Sequence, residues 1–453
     1  MNREILRIAL PSIITNITVP LLGLVDLAIV GHIGSASGIG AISVGTMIFN
    51  MVYWIFNFLR FGTSGLTAQA FGRKDTAGIR NVFRMAITVA VACGATVFVL
   101  QRPIEMVSGW LIAPSDEVWN LAVSYFRIRI WAAPAVIMLF AMNGWFVGMQ
   151  NSRIPMYIAI GQNIINIIGS YLLVFHFDMG IEGVALGTVI SQYVGLAAAF
   201  VLWHLKYNDI FRQKSTEKGD VTYSQFFTVN RDMFFRMIFM LAVTCSFTAI
   251  GAREGDTLLA VNTLLMQLFI LFSYFSDGFA LAGEALIGKY IGALDQNKMY
   301  RCVRLLFAWA IGGTAVFTLA YLFGCNGILM LLTSDMSVVE ASAPYIPWAI
   351  AIPITSFAAF AWDGIYIGAT ASRQMLYTLL CGAVVFFGCY FGGGYIVNHT
   401  SLIADPSSLI DNHILWMSFI AYLAARSIAQ TVMAASVLRK PFAHKLAQIY
   451  TNI

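Results

Sequence analysis

Long apolar stretches separated by short polar segments run through the whole chain. Roughly 20 consecutive apolar residues span a bilayer, and such a span must be helical because lipid leaves no partner for open backbone groups. The pattern therefore predicts an all-α membrane protein with twelve transmembrane helices. They are placed near residues 5–31, 41–67, 82–108, 118–148, 155–176, 184–207, 233–252, 257–288, 301–332, 342–370, 375–398 and 412–438.

Two sequence blocks recur in the second half of the chain, both at the same offset. GTSGLTAQAFGRKD at 62–75 aligns with AGEALIGKYIGALD at 282–295, and GWFVGMQNSR at 144–153 aligns with GIYIGATASR at 364–373. The copies lie on corresponding helices that run the same way. We therefore expect two six-helix bundles related by a pseudo-two-fold axis along the membrane normal. The predicted organisation is an N-terminal six-helix lobe at 1–207, a cytoplasmic connector at 208–232 and a C-terminal six-helix lobe at 233–453.

Composition and charge agree with a membrane protein. The chain has 453 residues, 59% hydrophobic and 11% charged, against about 25% charged in soluble domains. Most of its 27 basic residues, Arg236 among them, fall on the side of the predicted spans that holds Met1, which predicts that both termini are cytoplasmic. That asymmetry accounts for the net charge of +5 without a nucleic-acid partner. Arg129 is expected to snorkel to the outer end of its span.

The first apolar stretch contains a single acid, Asp26, together with Pro11 and Pro20. A carboxyl group in hydrocarbon costs a few kcal/mol and usually has a function. It can shed most of that cost by taking up a proton or a cation. Asp26 is therefore the leading candidate for coupling cation flow to a helix that contains prolines.

Polar residues follow one face of the fifth predicted helix. Gln162, Asn166 and Ser170 are spaced i, i+4, i+8, and Asn163 borders them. Asn166, with Thr188 of the sixth helix, could donate hydrogen bonds to Asp26. Such bonds to its charged form would lower the pKa of Asp26, and burial would raise it. The alternative is that these amides only hold helices together.

The second half has its own intramembrane charges. Asp277 and Glu284 lie two turns apart on the eighth span, Asp363 lies inside the tenth, and Arg426 lies near the middle of the twelfth. An arginine at that depth must be paired, and the three acids are its candidate partners. The set is interpreted either as a second ion or substrate site or as a structural ion pair that fixes helix packing.

The sequence resembles the multidrug and toxic compound extrusion (MATE) family and, within it, the DNA-damage-inducible protein F subfamily. The resemblance is carried by RIALPSIITNITVPLLGLVDLAIVGHIG, FGTSGLTAQAFGRKD, DGFALAGEALIGKYIGALD and AWDGIYIGATASR, and it covers essentially the whole chain. It implies a cation-coupled antiporter that exports organic, often cationic and lipophilic, compounds. Coupling in the family is to protons, sodium ions or both.

The resemblance also implies roles for individual positions. Asp26 matches the family's first-helix aspartate, Pro11 its helix-bending proline, and Asn166 and Thr188 its polar pair on helices five and six. Many relatives carry a second aspartate where this chain has Ser170, which favours protons over sodium. Asp363 matches an acid of a C-terminal cation site, but the seventh span lacks the second acid of that site.

The main hypothesis is a proton-coupled multidrug exporter with Asp26 as its protonation site. The weaker candidates for its substrate cavity are Tyr53, Trp54, Gln162, Asn163, Met266 and Gln267. The alternative is a lipid-linked oligosaccharide flippase of the same wider superfamily, which would be expected to carry more basic residues in its cavity. A membrane enzyme is disfavoured because no His, acid or Cys cluster converges. No P-loop is visible, so an ATP-driven pump is not expected either.

The remaining expectations concern partners and place. No metal and no cofactor are expected beyond H⁺ or Na⁺ as the coupling ion, since the six cysteines form no CxxC or Cys/His cluster. The predicted partners are the lipid bilayer and small organic drug-like molecules. The chain is expected to be a monomer in the inner or plasma membrane of a prokaryote.

Overall fold

The structure is a computed structural model. It describes the backbone of residues 1–31, 36–212, 219–399 and 408–451, and the side chains of 1–18, 29, 37–212, 219–395 and 411–442. Within these ranges the regular structure is helical. The side chain of Asp26 lies outside the described residues, so its surroundings are not part of the geometry below.

The chain folds into two compact units. The first unit is formed by Arg7–Asn230, and the second by Met1–Leu6 together with Arg231–Ile453. The helices that begin before residue 213 are α1 (Asn2–Gly31), α2 (Ala36–Phe56), α3 (Phe58–Arg73), α4 (Thr76–Val99), α5 (Gln101–Ile112), α6 (Asp116–Arg129), α7 (Ala133–Gly148), α8 (Arg153–Phe175) and α9 (Gly180–Arg212). The remaining helices are α10 (Tyr223–Arg253), α11 (Asp256–Gly292), α12 (Gln296–Leu332), α13 (Met336–Ser342), α14 (Ile346–Gly368), α15 (Ser372–His399) and α16 (Ser408–Thr451).

Eleven helical segments of the described residues are long and apolar enough to cross a membrane. The predicted first span coincides with α1, which is helical from Asn2 to Gly31. Because many of the side chains of α1 lie outside the described ranges, the count of twelve stays a prediction. The seventh predicted span begins earlier than expected, since α10 is continuous from Tyr223 to Arg253.

The third predicted span, 82–108, is wrong at its C-terminal end. α4 ends at Val99, and a separate helix, α5, begins at Gln101 with none of its residues buried. The reason lies in the charges that interrupt this apolar stretch. Glu105 of α5 pairs with Arg102 at 3.5 Å and with Arg127 of α6 at 2.9 Å, so this segment carries an ion-paired network in place of a continuing apolar span.

Close helix packing recurs in the two copies of the sequence repeat. A Cβ on Gly144 of α7 would overlap the carbonyl oxygen of Arg60 on α3, and a Cβ on Gly364 of α14 would overlap that of Ala280 on α11. One turn later the second glycine of each motif repeats the contact. A Cβ on Gly148 would lie 2.7 Å from the carbonyl oxygen of Ser64, and a Cβ on Gly368 would lie 2.7 Å from that of Glu284. Glycine is therefore required in both copies because the helix backbones touch.

The turns that follow α3 and α11 are also alike. Lys74 and Leu294 adopt left-handed backbone conformations, with φ of 60° and 54°. Asp75 and Asp295 come next, and each side chain accepts a hydrogen bond from the backbone N–H three residues later. Such capping satisfies one of the open N–H groups at a helix start. The GRKD and GALD ends of the sequence repeat thus form the same local structure.

Each unit has its own aromatic core. In the first unit the fully buried Trp145 packs edge-on against Phe83 and Tyr207, with ring centroids 5.2 and 4.9 Å away. In the second unit the fully buried Trp416 packs edge-on against Phe247 at 5.1 Å. These cores fix the helices that carry the polar groups described next.

Candidate ion and substrate sites

Pro11 leaves a backbone carbonyl of α1 without its usual partner. Proline has no N–H, so the carbonyl of Arg7, four residues earlier, receives no helical hydrogen bond. The hydroxyl of Ser152 lies 3.4 Å from that oxygen and donates to the adjacent Ile8 oxygen at 3.0 Å. Ser152 therefore fastens the start of α8 to α1 at the point where the proline weakens the helix.

A second link joins the same two helices farther along. Asn163 of α8 donates from Nδ2 to the carbonyl oxygen of Thr18 on α1 at 3.0 Å. Its neighbour Gln162 donates to Gln192 of α9 at 2.9 Å. For both amides the structure provides the helix-joining contact that was weighed as an alternative to a cavity role.

The polar face of α8 continues into the interior of the first unit. Asn166 is fully buried and donates from Nδ2 to Thr188 Oγ1 on α9 at 3.0 Å, while that hydroxyl donates to the Val184 oxygen at 3.1 Å. Ser170, one turn beyond, is also fully buried. Its Oγ would lie 2.5 Å from a Cβ on Gly187, so a glycine of α9 makes room for it.

Two buried polar atoms on this face have no hydrogen-bond partner among the described residues. They are Asn166 Oδ1 and Ser170 Oγ. A buried polar atom left unpaired costs about 1–3 kcal/mol, so such atoms call for a partner. The prediction that Asp26 supplies it falls on a side chain outside the described ranges and stays a prediction.

The second unit contains a charged cluster on three helices. Asp363 of α14 accepts at Oδ2 from Arg236 of α10 at 2.5 Å and from Arg426 of α16 at 2.9 Å. Its other oxygen accepts from Gln430 Nε2 at 2.7 Å. The two arginine side chains are only 4% and 7% exposed. Both carboxylate oxygens are thus occupied by donors, and two cations face one anion.

Arg426 also interacts with Tyr422, one turn earlier. Its Nη1 donates to the Tyr422 hydroxyl at 3.3 Å, and its guanidinium lies 5.4 Å from the ring centroid. Gly382 of α15 makes room for both side chains, since a Cβ there would lie 2.8 Å from Arg426 Cγ. The arginine is therefore held by a carboxylate, a hydroxyl and a ring within one unit.

This cluster confirms one part of the sequence prediction and adds partners that the prediction lacked. Of the three candidate partners of Arg426, Asp363 is the one to which the structure pairs it. Arg236, for which the sequence predicted no partner, is buried and ion-paired to Asp363. The sequence did carry a signal for Gln430, because Tyr422, Arg426 and Gln430 are spaced i, i+4, i+8 on one helical face.

Asp277 and Glu284 of α11 are the other two candidate partners of Arg426. Glu284 is 1% exposed, and Asp277 is partly buried seven residues earlier. Their assignment to a second polar site stays a prediction. No group of three or more His, Cys, Asp or Glu residues able to hold a metal occurs within the described part of the chain.

The weaker cavity candidates have varied environments. Tyr53 has a buried hydroxyl without a partner among the described residues, and Trp54 is 37% exposed. Met266 packs against the core of the second unit, whereas Gln267 is exposed. A cavity role for any of the four stays a prediction.

Arg129 has partners on two helices of the first unit. It donates to the hydroxyl groups of Tyr125 and of Thr46, the latter at 3.2 Å, and its guanidinium lies 5.1 Å from the Phe49 ring centroid. Aromatic rings and hydroxyls of α2 and α6 thus hold this cation within the first unit. Sequence spacing does not reveal these cross-helix partners, and whether Arg129 also reaches the membrane interface stays a prediction.

Solved structures share this architecture. One described as "Crystal structure of MATE in the bent conformation" aligns with a TM-score of 0.83 at 16% identity, covering 98% of this chain and 97% of that one. Another, "Outward-facing conformation of a multidrug resistance MATE family transporter of the MOP superfamily", gives 0.81 at 16% identity, over 97% of this chain and 96% of that one. At these identities the likeness shows the fold.

Sequence comparisons identify relatives along most of the chain. DNA damage-inducible protein F of Escherichia coli (strain K12) is 30% identical over 430 residues, which cover 94% of this chain and 91% of the relative. A probable multidrug resistance protein NorM of Photorhabdus laumondii is 20% identical over 428 residues, 90% of each chain. Apolar helices and bacterial relatives together support a multi-pass plasma-membrane protein.

The family model described as MatE matches residues 11–172 and 233–388. These two segments contain the polar face of α8 and Asp363 of the charged cluster, together with both copies of the glycine-rich repeat. The resemblance to MATE transporters predicted from the sequence motifs is confirmed. This chain belongs to the MatE family of membrane transporters.

Proposed function

We propose that this protein is a proton-coupled antiporter that exports lipophilic, often cationic organic compounds, with Asp26 as its protonation site. The observation that carries the proposal is the pair of buried acceptor and hydroxyl atoms, Asn166 Oδ1 and Ser170 Oγ, without partners among the described residues. Neutral groups of this kind suit a carboxyl that alternates between charged and uncharged forms.

The register between α1 and α8 supports Asp26 as the missing partner. Ser152 contacts Ile8 and Asn163 contacts Thr18, so the two helices run in parallel with partners 144 and 145 residues apart. Extending that register by two turns along α1, which is helical to Gly31, pairs the level of Asp26 with that of Ser170. We infer that Asp26 lies level with the polar end of α8.

The proposed chemistry uses both atoms. A neutral Asp26 carboxyl has an O–H that can donate to Asn166 Oδ1, and the ionised form can accept from Ser170 Oγ–H. Proton uptake would thereby exchange one hydrogen bond for another and move α1 against α8. The Ser152 bond beside Pro11 gives α1 a fixed point about which such a movement can occur.

A single acid favours protons over sodium at this site. Sodium, a hard cation, prefers several oxygen ligands with negative charge among them, whereas Ser170 offers a neutral hydroxyl. In the second unit Asp363 is already satisfied by Arg236, Arg426 and Gln430. We infer that this cluster fixes helix packing and does not bind the coupling cation.

The relatives support the export role, since one is named as a probable multidrug resistance protein and one solved structure as a multidrug resistance transporter. Alternating access would use twelve helices in two six-helix bundles related by a pseudo-two-fold axis, with both termini cytoplasmic and the chain a monomer. Nothing specific favours the flippase alternative. The two buried arginines that could attract a pyrophosphate are paired to Asp363.

The proposal is tested in membrane vesicles that contain the purified protein and a fluorescent cationic drug. A pH gradient and a sodium gradient are imposed separately, and drug movement is followed by fluorescence. We expect movement with the pH gradient alone, and its loss in Asp26→Asn, which keeps size but cannot titrate.

Asp209→Asn is the matched control, because Asp209 is an exposed acid near the end of α9. It should transport like the wild type. Full pH-driven transport by Asp26→Asn would refute the role of Asp26, and movement driven by sodium alone would refute proton coupling.

A further inference from the structure

A basic cavity opens where α1, α8 and α9 meet at one end of the first unit. Its volume is about 240 Å³, and Arg7, Arg153 and Lys206 line it together with polar residues of the α7–α8 turn. Among the lining residues that the structure describes there is no carboxylate. A water molecule occupies about 30 Å³ in the liquid, so the cavity admits a group of phosphate size.

The three basic side chains have no described ion-pair partner. All three residues are exposed, in contrast to Arg236 and Arg426 of the second unit. Like charges gathered around one cavity repel one another unless an anion lies between them. The charge of the cavity is therefore complementary to a small anionic group.

The start of α8 adds backbone donors to the same cavity. Helix N–H groups of the first turn lack partners within the helix and attract anions. Ser152 is the N-cap residue but makes no capping bond, because its hydroxyl donates to α1 instead. Arg153 and Ile154 of that first turn line the cavity, so the uncapped turn faces the basic side chains.

The equivalent helix start in the second unit has an acid beside it. Ser372, the counterpart of Ser152 in the repeat, begins α15 and donates to Asp232 Oδ2 at 2.9 Å. That buried carboxylate supplies negative charge where the first unit has a cavity and cations. Arg373, the counterpart of Arg153, therefore has an acid near its helix start and serves as a matched control.

We propose that this cavity binds the phosphodiester headgroup of an anionic membrane phospholipid. By the predicted orientation it lies at the cytoplasmic ends of the helices, where anionic headgroups attract basic pockets. Tyr157 lines the same cavity and is 59% exposed, as is typical of aromatic residues at headgroup level. The bound headgroup would bridge α1, α8 and α9. The inference does not depend on the coupling ion or the exported compound.

The test is lipid titration of the purified protein in detergent, with bound lipid counted by native mass spectrometry. We expect phosphatidylglycerol to bind more tightly than phosphatidylcholine, and more weakly as salt rises. Arg153→Ala combined with Lys206→Ala should weaken phosphatidylglycerol binding about thirtyfold. Arg153→Lys combined with Lys206→Arg keeps both charges and should retain binding, and Arg373→Ala should bind like the wild type.

Several outcomes would overturn the proposal. They are unchanged binding in the double alanine variant, equal affinity for phosphatidylcholine, or an equal loss in Arg373→Ala. Inorganic phosphate distinguishes the source of the anion. If inorganic phosphate does not displace phosphatidylglycerol, the lipid assignment stands. If it binds at the cavity while phosphatidylglycerol does not, the site takes a free anion and the lipid assignment is wrong. Gel filtration of each variant establishes that a loss of binding is not a loss of folding.

Discussion

The described polar face of α8 in the first unit is neutral, whereas the polar cluster around Asp363 in the second unit is charged. Asn166, Thr188 and Ser170 form a face of amide and hydroxyl groups with two atoms unpartnered among the described residues. In the second unit Asp363 is saturated by two arginines and a glutamine. The sequence repeat aligns Asp363 with Asn143, so the repeat itself places an amide where the other half has an acid.

This difference teaches that repeated backbone packing can hold different polar groups in the two units. The glycine contacts and turns recur at one offset in both units, so backbone packing is common to both. Buried charges that are fully paired resist change, because removing one partner exposes the other to a low dielectric. Neutral groups with an unused donor or acceptor can form a hydrogen bond with a carboxyl group that gains and loses a proton. Substitutions in the two units test this difference, and their expected effects decrease from the charged cluster to the helix caps.

Asp363→Ala should destabilise the protein by about 3–5 kcal/mol, because it leaves Arg236 and Arg426 buried without their carboxylate. Thermal unfolding of the purified protein, followed by intrinsic fluorescence, measures the change. Arg426→Met should cost less, since Asp363 then keeps its bond to Arg236. Equal unfolding temperatures for Asp363→Ala and the wild type would show that the cluster is not a structural element.

Gly144→Ala and Gly364→Ala should each destabilise by about 1–3 kcal/mol, because a Cβ at either position overlaps a backbone oxygen of the facing helix. Unfolding temperatures should fall by similar amounts in the two variants. Gly161→Ala and Gly312→Ala are controls, since a Cβ at either meets nothing within 4 Å. A large loss at only one of the two packed glycines would break the equivalence of the halves.

Asn166→Ala should cost stability of about 1 kcal/mol, the net value of its bond to Thr188, yet abolish pH-driven transport. The contrast with Asp363→Ala makes the experiment informative, since one variant loses function with its fold intact and the other loses stability. Vesicle transport and thermal unfolding are measured on the same preparations. Wild-type transport by Asn166→Ala would remove the amide from the proposed proton site.

The smallest effects are expected at the two helix caps. Asp75→Ala and Asp295→Ala should each cost about 1 kcal/mol, with the larger loss at Asp75, which also accepts from the Asp220 N–H at 3.1 Å. A hydrogen bond with Lys298 holds the pKa of Asp295 below its ordinary value. The stability that the ionised Asp295 cap contributes is therefore fully present at pH values above the ordinary aspartate pKa of about 3.9. It is lost as the pH falls below that value. Unfolding temperatures measured at neutral and acid pH test both the order and the sign.

Much of the architecture could be predicted because lipid imposes simple rules. Apolar length located most of the spans, and the constant offset of the repeat located glycines that prove to touch backbone oxygens. The rules failed where charges find partners across helices. The pairing of Arg236 could not be predicted, because its partner Asp363 is 127 residues away along the chain. α5 was read as the end of a span because Glu105 and Arg127 pair only in three dimensions.

Apolar length, motif and spacing along the chain were enough to identify the family, the helical class, the repeat and the polar residues that could carry chemistry. The tertiary structure was needed to show which of those residues already have hydrogen-bond or ion-pair partners. The folded chain joins Asn163 to α1, Asn166 to Thr188 and two arginines to one aspartate. The physical reason is that the cost of a buried polar group depends on its partners, and those partners are brought together by folding.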